Sequence, residues 1–292
     1  MIRDRPLEET WLSRTYGSCP TGSSRPDSTL DRRKRVREAT RLAGLLVFAF
    51  SVHWPTAARA AHPLLTEDTG TQGAGRYQIE LTHELSHNHD IKTKERAKSI
   101  NALFSIGLTD TIDAILDLPY EQLTERTGST STSVSGYADM EIAAKWRFYD
   151  EGPLSFALRP GLGLPTGNDD EGLSADTVIP SLFGVMTYTS DPWAFNLHLG
   201  YTRILDNEPE ERRNIYHVSA SVEYSVNESL RLVSDASAES NPEKSGHPNV
   251  GSAVIGLVYS LTSDLDFGFG YRKGLTDAAP DHAWLVGMAW RF

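Results

Sequence analysis

The sequence predicts an all-β chain, folded as an antiparallel transmembrane β-barrel of about twelve strands. Three observations carry this. The C-terminal run His282–Phe292 alternates with period two, with Trp284, Val286, Met288, Trp290 and Phe292 on one face and Ala283, Leu285, Gly287, Ala289 and Arg291 on the other. A strand that meets hydrocarbon on one side and a lumen on the other needs this pattern. Similar segments recur along the chain from about Ala74, each near the 9–11 residues that a tilted strand uses to cross a bilayer. The connections between them alternate short and long, as they do in bacterial barrels.

The amino terminus stands apart from this pattern. Of the 28 Lys/Arg and 39 Asp/Glu in 292 residues, the first 60 residues hold 11 and 6, so the rest carry 17 and 33. The basic run Arg32–Arg37 leads into the apolar stretch Leu42–Val52, and Ala58-Arg59-Ala60 follows. A charged segment, a short apolar core and a small-x-small site read as a secretory signal peptide cleaved near Ala60. Residues 1–60 are therefore expected to be an N-terminal extension plus signal peptide, 61–73 a short periplasmic segment, and 74–292 the barrel. The only cysteine, Cys19, lies in the removed part, so disulfides and thiolate metal sites are not expected in the exported chain. The acidic body also argues against nucleic acid as a partner.

The strands follow in order. Tyr77, Ile79, Leu81 and Leu85 alternate with Gln78, Glu80, Thr82 and Glu84. Ile100–Leu108 and Ile112–Glu121 flank a tight turn at Thr109-Asp110. Met140–Phe148 and Leu154–Leu164 flank Asp150–Pro153, and Val178–Tyr188 and Trp193–Tyr201 flank Ser190–Pro192. Tyr216–Val226, Leu230–Glu239, Val250–Ser260, Leu265–Arg272 and the terminal strand complete the set. Val250–Ser260 is apolar on both faces, which leaves its register open. Longer polar stretches near 87–97, 122–136, 165–177, 203–214, 240–249 and 274–281 are expected to be outer loops. Tyr77, Tyr120, Phe148, Trp193, Tyr201 and Trp284 sit at strand ends, where interfacial aromatic girdles form.

The run Ala61–Gly75 (AHPLLTEDTGTQGAG), with Gly163-Leu164-Pro165-Thr166-Gly167-Asn168 at a strand-to-loop junction, resembles the meta-pathway phenol-degradation-like family of outer-membrane transporters. The resemblance covers essentially the whole exported chain. It implies a bacterial outer-membrane location and passage of small solutes, aromatic or hydrophobic ones included.

The inward faces hold the candidate functional residues. Alternation places Glu80, Glu84, Asp113, Asp117, Asp139, Glu141, Glu223, Asp235 and Asp266 in the lumen, together with Lys145, Arg147, Arg159, Arg231 and Arg272. Carboxylate rings favour cations in a pore, and interior arginines pair with them across it. Two readings follow: a porin-like channel for small solutes, or a non-conducting barrel that is closed by ion pairs and binds a metal or partner. His83, His87 and His89 share a parity and are a candidate metal set, imidazole suiting zinc, copper or nickel. That parity, however, is the lipid-facing one. His217 and Ser219 share an inward face, as a base and a nucleophile would, but no hydrolase motif surrounds them and no enzyme is expected. Asn168–Glu171 with Asp176 is rich enough in oxygen ligands for calcium, but its spacing matches no EF-hand loop. No cofactor is expected, and the expected partners are membrane lipid and a small-molecule solute.

Overall fold

A computed structural model describes residues 62–89, 93–206, 210–244 and 246–292. The signal peptide and cleavage site expected from the sequence lie outside these residues. Thirteen strands form one antiparallel sheet: β1 (Tyr77–His89), β2 (Thr93–Gly107), β3 (Ile112–Thr127), β4 (Thr130–Tyr137), β5 (Met140–Glu151), β6 (Leu154–Leu164), β7 (Ile179–Ser190), β8 (Trp193–Arg203), β9 (Asn214–Ser225), β10 (Leu230–Ser240), β11 (Asn249–Ser260), β12 (Leu265–Gly274) and β13 (His282–Arg291). The sheet closes because β1 pairs with β13 from Gln78↔Arg291 to His87↔His282. The two chain ends meet at one rim. Tyr77 donates its N–H to the Phe292 carbonyl at 2.8 Å, and their rings stack at 5.6 Å. Closure leaves no unpaired edge in the hydrocarbon, which a membrane-spanning sheet requires.

Twelve of these strands make the barrel and β4 is an addition. β3 pairs with β5 from Ile112 to Asp117, then exchanges that partner for β4 from Tyr120 to Thr127. The stretch 122–136, expected to be a loop, is thus largely a hairpin that prolongs β3 and returns as β4. Its two-residue turn, Gly128-Ser129, has Gly128 at φ 62°, a conformation that glycine adopts without strain. The flanking Thr and Ser residues favour extended backbone, so polarity alone was a poor guide to a loop here.

Alternation gives the wall its two faces. On β13, Trp284, Val286 and Trp290 are 45–49 % exposed, whereas Ala283, Leu285 and Ala289 are at most 5 % exposed. The open register of Val250–Ser260 resolves the same way: Ile255, Leu257 and Tyr259 face out, and Val254 and Val258 lie inside at 1–2 % exposure. Val286→Arg, at the middle of the lipid face, is expected to cost about 2–4 kcal/mol. Urea unfolding in lipid vesicles would measure it, and Leu285→Ala on the inner face serves as the comparison.

The largest departure from expectation concerns residues 61–73. Instead of hanging in the periplasm, residues 62–73 enter the barrel. Gly75 donates to the Gly107 carbonyl at the rim, and Thr71 Oγ1 donates to the Asp110 carbonyl just inside it. The chain then crosses the lumen to β10, and His62 and Pro63 end against β11, β12 and β13. The sequence rule that placed this segment outside treats only alternating strands as barrel; an irregular backbone can occupy a lumen wherever inward side chains satisfy its polar groups.

Candidate functional site

The lumen is built from inward residues of the twelve barrel strands and from the segment that crosses it. Each turn of that segment meets a wall residue. Gln72 donates its N–H to both oxygens of Asp113, at 3.0 and 3.1 Å. Thr69 donates its N–H to Thr187 Oγ1 at 3.0 Å, and its hydroxyl lies 2.5 Å from Ser155 Oγ. Leu65 and Thr66 donate their N–H groups to Asp235 Oδ2 at 3.1 and 2.8 Å. Glu67 sits between two cations, 2.9 Å from Lys145 Nζ and 3.1 Å from Arg159 Nε. Lys145 also donates to the Asp68 carbonyl at 3.3 Å. The segment is therefore held by two wall carboxylates on its backbone and two wall cations on its one deeply placed carboxylate.

Its tip is held by shape. A Cβ at Gly268 or Gly287 would fall within 2.4–2.8 Å of His62 Cδ2, and one at Gly256 or Gly270 within 2.7 Å of a Pro63 ring carbon. These four inward glycines leave a groove that admits the imidazole and the pyrrolidine ring. Val254 and Val258 lie on the same stretch of inner wall, which explains why β11 is apolar on both faces.

The fourteen residues expected in the lumen are placed as follows. Glu141 accepts from Arg159 at 2.6 Å and from Ser181 at 3.2 Å. Glu84 pairs with Arg272. Asp266 lies 2.9 Å from Arg291 and 3.5 Å from Arg231, which also approaches Glu223 at 3.6 Å. Glu80 accepts from Gln78 at 2.5 Å. Asp117 is inward, opposite Glu141 in the β3–β5 register. Arg147 is nearer the rim, donating to the Asp110 carbonyl and 3.5 Å from Asp150. Asp113, Lys145, Arg159 and Asp235 are the anchors already described. The set is thus largely an internally paired network. Three further members join it: Glu67, which no alternation marks, and the inward-parity residues Arg291 and Asn196, the latter donating to Ser221 and Glu223.

Asp139 differs from the rest. It stands just before β5 at the outer mouth and accepts N–H groups from Thr166, Gly167 and Ala175 at 2.8–3.0 Å. It ties down the 165–177 loop instead of lining the passage. Burial alone would raise its pKa, but these N–H groups and the Ser174 hydroxyl outweigh it and hold the carboxyl below its ordinary value. Its depressed pKa means its contribution is complete above the unfolded value, about 3.9, and fades as pH falls through the lower folded one. Asp139→Ala is expected to weaken the loop anchorage by about 1–3 kcal/mol, read as faster proteolytic nicking at 165–177. In the unaltered protein the same nicking should appear only below about pH 4.

The weaker sequence candidates are also placed. His83 and His87 both face outward, but same-face residues four apart on a strand are about 13 Å apart, too far to share an ion. His87 instead stacks on His282 at 5.1 Å and accepts from Arg96 Nε at 3.2 Å. The His89 side chain lies outside the described residues, among which no group of three metal-ligating side chains occurs. His217 bonds Ser219 Oγ through Nε2 and Glu239 Oε2 through Nδ1, both at 3.0 Å. Ser219 is 1 % exposed, so this hydrogen-bonded relay leaves no approach to its hydroxyl. The acidic residues Asp169–Glu171 form a short exposed 3-10 turn ended by Gly172 in the left-handed region.

Comparison with known proteins extends this picture. Residues 66–292 match the family described as "Putative MetA-pathway of phenol degradation". The fold is similar to the COG4313 outer membrane channel from Pseudomonas putida F1, at 12% identity and a TM-score of 0.62, over 77% of this chain and 98% of that one. It is also similar to the NanC porin, at 10% identity and a TM-score of 0.50, over 73% of this chain and 98% of that one. At such identities the likeness establishes the fold, that of an outer-membrane β-barrel. Among proteins of curated function the sequence matches none.

Proposed function

Because this chain belongs to the MetA-pathway phenol-degradation family, we propose that it passes small solutes across the bacterial outer membrane through a lumen narrowed by its own residues 62–73. The observation that carries this reading is the clamp on Glu67 by Lys145 and Arg159, with the neighbouring Leu65 and Thr66 amides on Asp235. It puts the constriction at mid-lumen and makes it a separable piece of chain. The size limit is then set by the gap between segment and wall, and the family's link to phenol degradation supports aromatic solutes as cargo. The pairing of most lumenal charges favours a second reading, a barrel that does not conduct.

Proteoliposome swelling separates the two. Phenylalanine, an aromatic zwitterion that crosses lipid poorly, is expected to enter, and a disaccharide is expected to be excluded. Folded protein that admits neither, and carries no ionic current in a planar bilayer, would favour the closed barrel.

A further inference from the structure

The outer wall sorts charge in a way that passage through the lumen does not require. From β12 through β13, β1, β2 and β3 to β4, no outward strand position carries a carboxylate. The acidic residues of these strands, such as Glu80, Glu84, Asp113, Asp117 and Asp266, all take the inward parity. The outward cations, in contrast, gather at one end of these strands. Lys94, Arg96 and Lys98 follow one another on the outward face of β2, and all three are exposed. Arg126 of β3 stands beside Lys94 in the β2–β3 register, and it too is exposed. On the other side, the register runs from Arg96 to His87, from His87 to His282 and from His282 to Lys273. Five of the 17 basic residues beyond position 60 of an acidic chain thus share one band. Among the described residues, no side-chain carboxylate pairs with these five.

The height of the band identifies its surroundings. Below Lys98 on β2 come Ile100, at 49 % exposure, and then the apolar Ala102, Phe104 and Ile106. Tyr120, the partner of Ile100, and Trp284 with Tyr271, which align through Leu85 with Lys98, form an aromatic belt between the apolar wall and the cations. On β2 the cations begin at Lys98, one same-face step or about 7 Å beyond Ile100, and Arg96 and then Lys94 beside Arg126 follow over about 13 Å more. This is the headgroup layer, and the long-loop end of the barrel places it in the outer leaflet. β4 adds the outward hydroxyls Ser131 and Ser133 opposite Arg126 and Thr124.

We infer that this band binds the phosphate groups of outer-leaflet lipid, with Lys94, Arg96, Lys98 and Arg126 as the primary contacts. Charge complementarity decides the occupant. A cluster of cations with no carboxylate partner among the described residues, on a membrane-facing wall, is repulsive in itself and is stabilised by phosphates that lie beside it. Arg96 is pre-set for this role, because its Nε is already spent on His87, which leaves its terminal nitrogens to face outward as a fork. The histidine stack between Arg96 and Lys273 spaces the two ends of the band without adding a carboxylate.

The test uses the full chain purified in a neutral detergent and lipid A as the probe, with native mass spectrometry as the readout. Bis-phosphorylated lipid A is expected to bind at least tenfold more tightly than the same lipid stripped of its phosphates. The variant K94Q/R96Q/K98Q, altered only at exposed outward positions, is expected to lose about 100-fold, from about fivefold for each of the three cations. The control R203Q, an outward cation on β8 away from the band, should change binding less than twofold. Equal binding of phosphorylated and stripped lipid by the unaltered protein would overturn the proposal, independently of how the variants fold. A triple variant that folds and still binds within twofold would also overturn it, as would displacement of the lipid by inorganic phosphate alone.

Discussion

Deletion of residues 62–73 is expected to raise single-channel conductance several-fold while leaving the barrel closed. The barrel's closure does not depend on the segment. β1 begins at Tyr77, pairs with β13 over ten residues, and is sealed by the Tyr77–Phe292 backbone bonds. What the deletion removes is a chain that crosses the lumen from Asp113 to the glycine groove of β11–β13. The wall groups it leaves behind, Asp113, Asp235, Lys145 and Arg159, are all charged and would be taken up by water entering the vacated space. The segment also carries off Glu67 and Asp68, so the wall loses acidic countercharge beside Lys145 and Arg159, and cation preference should fall. Planar-bilayer recordings of the full and shortened chains under a salt gradient check both effects. Unchanged conductance in a folded, shortened barrel would mean that ions do not pass through the space the segment fills.

The sequence made the barrel legible and the segment illegible for one physical reason. Period-two alternation is imposed by lipid on one side and polar lumen on the other, so strands such as His282–Phe292 declare themselves residue by residue. Residues 62–73 meet no lipid and form no regular ladder, so they carry no period. Their traces in the sequence lie on the opposite wall. Gly256, Gly268, Gly270 and Gly287 fall on inward positions, and Val254 and Val258 are apolar where a polar lumen was expected. Those oddities marked a surface that something covers, but nothing in them identified the cover as the chain's own beginning. The inward charges were found by parity alone. Their pairing was not, because partners such as Glu84 with Arg272 and Arg159 with Glu67 are distant in sequence and meet only on closure. Asp139 obeyed the same parity but lies just before its strand, where side-chain direction is set by loop amides and no longer by the pleat.

Glu67→Gln is expected to release the segment without shortening it. Glu67 is the one carboxylate that Lys145 and Arg159 share, and their side chains are only 13% and 7% exposed. Arg159 keeps the hydrogen-bonded Glu141, whereas Lys145 keeps a hydrogen bond to the Asp68 carbonyl and the more distant field of the Asp68, Asp113 and Glu80 carboxylates. Removing one partner of a buried ion pair costs about 3–5 kcal/mol because the other charge is left uncompensated. In the docked state that cost falls mainly on Lys145, reduced by its remaining carboxylate neighbours toward the lower figure; in the released state water solvates it. At the lower figure the docked-to-released ratio should therefore drop by about 100-fold, at about 1.4 kcal/mol per factor of ten. Recordings would show bursts at the conductance of the shortened chain, and the reversal potential within bursts would move toward anions as the two cations lose their countercharge. Glu67→Asp, which keeps the charge on a shorter side chain, should stay mostly closed. A Glu67→Gln barrel that is as quiet as the unaltered one would place the hold elsewhere, on the amide contacts to Asp113 and Asp235 and on the four-glycine groove. Gly287→Leu, which fills the space of the His62 ring, would then be the variant that opens it.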